Sequence, residues 1–253
     1  FQVYLLYPND HADEAIDRTN GQFYLSGGSR VLPQGKLRAQ DLLIGARAAL
    51  LTLLVLTLIL ALAFDRPWMP VALLLAATLG WAYNRPPLQW SYRGHGEALQ
   101  GLGCGVLLPV IGFYLQQGSL ESFPWLALIP LFLLFYAGNL VTALPDYASD
   151  KAGGKKTFPV RHGPRRTRVT AVVLLLLACV SLSIVFPATS WLEWMFIALP
   201  PVLILAGNVA SGLVHRATAG NFSACKTFVT WIAVSQAWFL CAWLGVLLLG
   251  SPR

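Results

Sequence analysis

Acidic side chains at helical spacing occur twice in this sequence of 253 residues. In the stretch NDHADEAID, the residues Asn9, Asp13 and Asp17 stand four positions apart, so a helix places them on one ridge. In the stretch DYASD, Asp146 and Asp150 have the same spacing. Like charges at this spacing destabilise an isolated helix, and burial increases the cost, so we expect a cation to offset them. Oxygen ligands without Cys or His in register favour Mg²⁺ over Zn²⁺.

Basic residues follow each acidic motif along the chain. Arg30 and Lys36 follow the first motif, and Lys155, Lys156 and Arg161 follow the second. Mg²⁺ in proteins usually takes one or two carboxylates and completes its coordination shell with water and substrate phosphate oxygens. Carboxylates around a metal, with Lys and Arg beside them, therefore form an arrangement suited to a diphosphate.

The motifs lie between apolar segments that are long enough to cross a membrane. Charged residues make up only 11% of the chain, whereas soluble domains average about 25%, and the mean hydropathy is +0.61. About 20 apolar residues in a helix span the ~30 Å hydrocarbon core of a bilayer. Seven segments qualify, at residues 42–64, 68–83, 98–116, 122–144, 168–187, 191–213 and 227–249. The sequence therefore predicts an all-α fold, a polytopic bundle of helices in the lipid bilayer.

Charge divides the connecting segments into two sets. If the spans alternate in direction, one set carries fifteen of the eighteen Lys and Arg residues, at residues 9–40, 84–97, 145–168 and 215–226. By the positive-inside rule this set faces the cytoplasm, so the net charge of +7 reflects orientation and phosphate affinity. No basic stripe with interleaved aromatic residues occurs, so nucleic-acid binding is not expected. Carboxylate–lysine pairs on a solvated loop would explain either motif alone. They explain less well why two such motifs occur on the same face of the membrane.

These stretches together resemble the UbiA superfamily of intramembrane prenyltransferases. The family has the motifs N-x-x-x-D-x-x-x-D and D-x-x-x-D on one face, and here they read NDHADEAID and DYASD. Two further stretches resemble family segments, YNRPPLQWSYRGHGE at residues 83–97 and GGKKTFPVRHG at residues 153–163. The resemblance covers essentially the whole chain, residues 1–253, as a single domain. It implies nine helices, of which the first and most of the second would precede residue 1, with FQVYLLYP as the end of the second.

The resemblance also implies roles for individual residues. Asn9, Asp13 and Asp17 would bind one Mg²⁺, and Asp146 and Asp150 a second, with both ions on a prenyl diphosphate. The diphosphate oxygens would be held by the basic residues Arg30, Lys36, Lys155, Lys156 and Arg161. Tyr83 would lie near the reacting carbon, although a tyrosine at the end of a span is also an ordinary interfacial anchor.

Three positions depart from the family pattern. Asp10 is an extra acid beside the first motif, either a bystander or an alternative ligand. Thr142 stands where some members have Asn. Ser91 stands where many members have a basic residue, and this second departure weakens inference about the acceptor.

The activity implied is transfer of a polyprenyl group to an aromatic acceptor in quinone biosynthesis. The stretch SGGSRVLPQGKL and the spacing of Tyr92, Gly94, Gly96 and Glu97 most resemble the branch that acts on 1,4-dihydroxy-2-naphthoate. PPLQW also resembles branches that act on 4-hydroxybenzoate or chlorophyllide, and homogentisate is a further alternative. The resemblance places the protein in a bacterial inner membrane with cytoplasmic active-site loops, and oligomeric state is left open.

An ion-coupled transporter is the alternative of another class, since carboxylates within membranes also relay ions. Transporter sites favour the bilayer midplane and broken helices, whereas these acids stand at the ends of predicted helices.

Overall fold

The computed structural model describes residues 1–19, 28–185, 190–210 and 222–249, and every regular element in these ranges is helical. The helices, numbered in chain order, are α1 Gln2–Thr19, α2 Ala39–Ala63, α3 Met69–Asn84, α4 Gly96–Leu102, α5 Leu108–Gln117, α6 Leu128–Thr142, α7 Tyr147–Ala152, α8 Phe158–His162, α9 Pro164–Val185, α10 Trp191–Ala210 and α11 Phe222–Leu249. A π-helical turn at Gly103–Leu107 joins α4 to α5, and 3₁₀ turns lie at Trp90–Tyr92 and Trp125–Ala127. The all-helical fold predicted from the sequence is confirmed.

Four helical segments in the described part of the chain are long and apolar enough to cross a membrane, Ala39–Ala63, Gly96–Gln117, Trp125–Thr142 and Pro164–Val185. Each overlaps a predicted span, and the predicted span 68–83 corresponds to the shorter apolar helix α3. Helices α10 and α11 overlap the last two predicted spans. The predicted ends at 186–187 and 211–213 lie outside the described residues. A multi-pass membrane bundle follows, and the count of seven stays a prediction.

The outer surface of the bundle is apolar, as a lipid-facing surface must be. Leu62 of α2 is 87% exposed and Ile184 of α9 is 75% exposed, and both belong to spans. Continuous exposed apolar surface of this kind is unfavourable in water but matches hydrocarbon.

The core of the bundle lies between α6, α9 and α11. Leu134 and Leu140 of α6 pack with Leu175 and Leu182 of α9 and with Phe228 of α11, and all five side chains are almost fully buried. Ala137 and Ala178 are completely buried in the same cluster, and small residues of this kind let membrane helices approach closely. This buried cluster packs α6 against its neighbours, and the second acidic motif follows the end of α6.

Glycines bring α4 and the π-helical turn against α6. A Cβ atom on Gly105 would lie 2.7 Å from the carbonyl oxygen of Leu131, and one on Gly101 would lie 3.2 Å from the Cα atom of Tyr136. The close approach places the first turn of α4 beside the last turns of α6. On the other side, α1 packs against α2 and α3, so the two acidic motifs face each other across one end of the bundle.

Candidate active site

Helix α1 carries the first acidic motif and buries its acidic face. Asp10, Asp13 and Asp17 are only 4%, 8% and 6% exposed, although α1 has polar residues on its other side. Buried carboxylates require hydrogen bonds or opposite charges. The partners of these three groups therefore define what the site is built to hold.

A cavity of about 550 Å³ lies between the two motifs at this end of the bundle. It brings together seven of the residues that the sequence predicted for the site, Asn9, Asp13, Asp17, Tyr83, Asp146, Asp150 and Lys155. Apolar residues complete the wall, among them Leu6, Ile16 and Ala143. The cavity thus has a charged end and apolar sides.

Both oxygens of the Asp13 carboxylate are engaged. The Lys155 ammonium lies 2.7 Å from Asp13 Oδ2, and the Tyr92 hydroxyl lies 2.8 Å from Asp13 Oδ1. The side-chain amide of Asn9 also donates to Asp13 Oδ2 at 3.4 Å, and to Asn84 Oδ1 at 3.1 Å. Asp13 is therefore held in one orientation by Asn9 of α1 and by Tyr92 and Lys155 from two other segments, and Asn84 of α3 holds Asn9 in turn.

Lys155 lies in the middle of the charged end. Burial alone would lower the pKa of its ammonium group. Its neighbours Asp13, Tyr83 and Asp150 raise that pKa by more than burial lowers it, so the pKa lies above its ordinary value. The nitrogen also lies 5.3 Å from the centre of the Tyr92 ring, within the range of a cation–π contact. Lys155 is therefore a fixed positive charge at neutral pH.

Carboxylates of the two motifs lie close enough to repel one another. Burial raises the pKa of Asp17 to about 7, and the charges of Asp13 and Asp146 raise it as well. Burial likewise raises the pKa of Asp150 to about 7, while Lys155 and the Thr157 hydroxyl, 3.1 Å from Asp150 Oδ2, oppose the rise. Both shifts reflect burial first and, second, the repulsion among carboxylates that lie close together.

Four predicted diphosphate ligands do not line the cavity. Lys36, Lys156 and Arg161 are exposed, and Arg30 is half-buried with a φ of 60°. Arg161 donates instead to the carbonyl oxygen of Gly94 at 3.1 Å. Among the predicted basic residues, only Lys155 lines the cavity.

Several residues at the site were not predicted to act there. Asp10 accepts hydrogen bonds from the backbone and hydroxyl of Ser29, so this extra acid anchors the chain at residues 28–29. Glu97 lines the cavity and accepts the Phe158 amide at 2.5 Å, and Thr157 binds Asp150. Tyr92, Glu97 and Thr157 all belong to stretches that carried the family resemblance, and that membership is the signal that could have identified them.

The donor set at the cavity suits a hard cation. Five carboxyl groups line it, those of Asp13, Asp17, Glu97, Asp146 and Asp150, and Lys155 is the sole lysine or arginine among the described lining residues. Within the described ranges, no three His, Cys, Asp or Glu side chains converge closely enough to bind one ion together. One or two carboxylates for each ion, with phosphate oxygens completing the shell, is the usual arrangement for Mg²⁺.

Comparison with known proteins identifies several similar chains. A model of the UbiA prenyltransferase family matches residues 2–221. The 1,4-dihydroxy-2-naphthoate octaprenyltransferase of Bacillus subtilis (strain 168) is 29% identical over 164 residues, which cover 63% of this chain and 53% of that protein. The enzyme of the same name from Mycobacterium tuberculosis (strain ATCC 25618 / H37Rv) is 28% identical over 214 residues, covering 81% of this chain and 69% of that protein.

A relative with a different name is similar over a comparable length. The digeranylgeranylglyceryl phosphate synthase of Ignicoccus hospitalis is 30% identical over 218 residues, covering 80% of this chain and 64% of that protein. The chain spans about half the length of the Bacillus relative and about two thirds of the other two.

Two solved structures share the fold. Both are of a UbiA homologue from Archaeoglobus fulgidus, one bound to DMAPP and Mg²⁺ and the other to GPP and Mg²⁺, with TM-scores of 0.58 and 0.57. Each is 19% identical, and the match covers 94% of this chain and 82% of the other. This similarity extends the family match to the arrangement of the helices.

Proposed function

The chain belongs to the UbiA prenyltransferase family, and on this premise we propose that it transfers a prenyl group from an allylic prenyl diphosphate to an aromatic acceptor. The observation that carries the proposal is the single cavity at which carboxylates of both acidic motifs meet Lys155. Breaking the bond between the allylic carbon and the diphosphate oxygen leaves positive charge on the carbon and negative charge on the leaving group. A bond from an aromatic ring carbon to the allylic carbon then forms, and the ring loses a proton.

We assign the charged end of the cavity to the diphosphate and to Mg²⁺. Asn9, Asp13 and Asp17 would hold one ion, and Asp146 and Asp150 a second. Mg²⁺ bound there neutralises charge that develops on the leaving diphosphate. The Mg²⁺ and prenyl diphosphates bound by the Archaeoglobus homologue support this assignment.

The residues of this chain supply orientation, charge and exclusion of water. The Lys155 ammonium donates to a diphosphate oxygen from its fixed position beside Asp13. Tyr83 lines the same cavity, and its ring stabilises positive charge on the allylic carbon through a cation–π contact. Leu6, Ile16 and Ala143 exclude water that would otherwise capture the prenyl cation.

We favour 1,4-dihydroxy-2-naphthoate as the acceptor, which places the reaction in menaquinone- or phylloquinone-type quinone biosynthesis. Support comes from the two octaprenyltransferases named for this acceptor. The alternatives are prenylation of 4-hydroxybenzoate, of homogentisate or of a chlorophyllide from the same kind of prenyl diphosphate. We further propose that the protein lies in a bacterial inner membrane with the cavity end on the cytoplasmic side, because the basic segments 84–97 and 145–168 contribute residues to the cavity lining.

The decisive experiment follows labelled geranylgeranyl diphosphate in proteoliposomes with and without Mg²⁺. The acceptor panel holds the four aromatic compounds and, because of the Ignicoccus relative, a prenylated glyceryl phosphate. We expect Mg²⁺-dependent prenylation, fastest with 1,4-dihydroxy-2-naphthoate. Absence of turnover with every acceptor, together with ion flux across the liposome membrane, would replace the proposal with an ion-coupled transporter.

A further inference from the structure

Residues 91–97, which we call the bridging segment, contact the first acidic motif and the loop that follows the second. The segment follows α3 and leads into α4, and it lies far from either motif in the sequence. Its start is fixed because the Ser91 hydroxyl donates to the carbonyl oxygen of Tyr83 at 2.7 Å. Ser91 is only 2% exposed, so this contact ties the segment to the end of α3 rather than to solvent.

Three contacts join the bridging segment to the loop that follows the second motif. The backbone amide of Lys156 donates to the carbonyl oxygen of Tyr92 at 3.0 Å. The Arg161 guanidinium donates to the carbonyl oxygen of Gly94 at 3.1 Å, and the Phe158 amide donates to Glu97 Oε1 at 2.5 Å. This docking places Lys155 and Thr157 at the cavity, where Thr157 binds Asp150.

Gly94 is required for this close docking. Its φ of +84° is unfavourable for residues with a Cβ atom. A Cβ atom there would also lie 2.6 Å from Arg161 Nη1 and 2.8 Å from the carbonyl oxygen of Lys156. The local conformation of the bridging segment is therefore specific to its contact with the loop.

One contact joins the bridging segment to the first motif. The Tyr92 hydroxyl lies 2.8 Å from Asp13 Oδ1 and 3.0 Å from the carbonyl oxygen of Ala12, and its single proton is shared between these acceptors. A tyrosine hydroxyl is a hydrogen-bond donor, and both of its acceptors here belong to the first motif. Lys155 lies against the ring of the same tyrosine.

We infer that Tyr92 and Glu97 are positioning residues that hold the two acidic motifs at a fixed separation across one diphosphate. Tyr92 orients the Asp13 carboxylate, and Glu97 fixes the loop that carries Lys155 and Thr157. The role in diphosphate binding rests on the proposed function. The contacts of Tyr92 and Glu97 do not depend on it.

The test compares Tyr92→Phe, Glu97→Ala and Glu97→Gln with the control Tyr114→Phe. Tyr114 is also buried and hydrogen-bonded, but its hydroxyl accepts the Trp68 amide near the start of α3, at the opposite end of that helix from Tyr83. The first measurement is the Mg²⁺ concentration that half-saturates binding of a non-reactive geranylgeranyl thiodiphosphate. Loss of a group that orients a metal ligand typically costs 10- to 100-fold in metal affinity, so we expect a rise of about tenfold for Tyr92→Phe.

Kinetics separate positioning from general damage. Tyr92→Phe and Glu97→Ala should raise the Mg²⁺ requirement and the KM for prenyl diphosphate, while the KM for the aromatic acceptor stays within about twofold. Glu97→Gln should restore most of the loss, because an amide carbonyl also accepts the Phe158 amide. An unchanged Mg²⁺ requirement in Tyr92→Phe, or equal damage from Glu97→Gln and Glu97→Ala, would overturn the inference.

Hydrogen exchange in the ligand-free protein tests the geometry without any turnover. Glu97→Ala should speed exchange in the peptide that spans residues 155–161, and Tyr114→Phe should not. If the wild type fails to consume prenyl diphosphate, the proposed function fails and exchange still decides the bridging contacts. Unchanged exchange in Glu97→Ala contradicts them whatever the protein catalyses.

Discussion

Asp13 of the first acidic motif is held by residues far along the chain, whereas Asp150 of the second accepts a hydrogen bond from its own segment. Asp13 is held by Tyr92 and by Lys155, which are 79 and 142 residues away. Asp150 accepts from Thr157, seven residues away, and its amide donates to the Asp146 carbonyl within the same turn. Within the described part of the chain, Asp150 is therefore held by its own segment, and Asp13 gains both partners only when the bundle has assembled.

This difference assigns different sensitivities to the two halves of the site. Damage to distant elements should disturb the first motif, because its hydrogen bonds cross between helices. Asp150 should respond to changes within residues 146–157 and, through the loop that Glu97 holds, to changes at Glu97. Both motifs should nevertheless be equally necessary, since their carboxylates line one cavity.

The largest expected effect is the loss of a carboxylate from either motif. We predict that Asp13→Ala and Asp146→Ala each lower prenyl transfer by about 10³-fold, because each removes a ligand for charge on the leaving group. Turnover of labelled prenyl diphosphate measures the loss, and membrane fractionation checks that the variants still insert. Activity retained by only one of the two variants would break the equivalence of the motifs.

The second-largest effect is expected at the ion pair between Lys155 and Asp13. Lys155→Met leaves Asp13 without its buried cationic partner, which typically costs about 3–5 kcal/mol for a buried pair. We predict a fall in kcat of about 10²-fold and a lower thermal midpoint. The matched control is Lys151→Met, because Lys151 is exposed and lies outside the cavity. Equal effects of the two variants would contradict the assigned role of Lys155.

A moderate effect should follow removal of the local hydrogen bond in the second motif. Thr157→Val keeps the shape of the buried side chain but deletes the donor to Asp150, and we predict a three- to tenfold higher Mg²⁺ requirement, about 1 kcal/mol. Thr157→Ser should behave like the wild type. Thr78→Val is the control, since the Thr78 hydroxyl is exposed and donates to the Leu74 carbonyl in its own helix.

The smallest effect concerns pH, with one contribution from each motif. Asp17 and Asp150 have pKa values of about 7 in the folded chain, against about 3.9 for an unperturbed aspartate. Groups that bind protons more tightly when folded add stability at low pH, and this contribution is lost as pH rises through about 7. We expect the thermal midpoint without Mg²⁺ to fall as pH rises from about 4 to about 7 and to level off above that, and Mg²⁺ to oppose the fall.

Single variants show how much each motif contributes to the pH dependence of the thermal midpoint. Asp17→Asn and Asp150→Asn should each remove part of the pH dependence, and the double variant should remove most of it. A double variant with the wild-type slope would show that other groups cause it.

Local periodicity made the helices and the two motifs predictable from the sequence. Apolar runs and the spacing of Asn9, Asp13 and Asp17 depend on a few successive residues, so one sequence is enough to find them. The roles of the basic residues were harder to predict, because Lys155 lines the cavity whereas the adjacent Lys156 is exposed. Residues 155–157 are not helical, so successive side chains alternate, and Lys155 and Thr157 face the cavity while Lys156 faces solvent.

The contacts of Tyr92 and Glu97 could not be predicted by spacing. Each joins segments that only the assembled bundle brings together, and a tyrosine or glutamate after a span has many ordinary roles. Their stretch carried part of the family resemblance, but in the sequence it served only to suggest the acceptor. Asp10 is a similar case, since nothing in its sequence neighbourhood indicates that it holds Ser29 rather than a ligand.

The central claim, that both acidic motifs bind one diphosphate through Mg²⁺, is tested most directly by non-additivity. Mg²⁺-dependent binding of geranylgeranyl thiodiphosphate would be measured by calorimetry in the wild type, Asp13→Asn, Asp150→Asn and the double variant. Groups that act on one ligand as a unit are not additive, so we predict that each single variant loses most of the binding and that the double variant loses little more. Single losses that add in full, or a variant that keeps wild-type Mg²⁺-dependent affinity, would contradict a shared site.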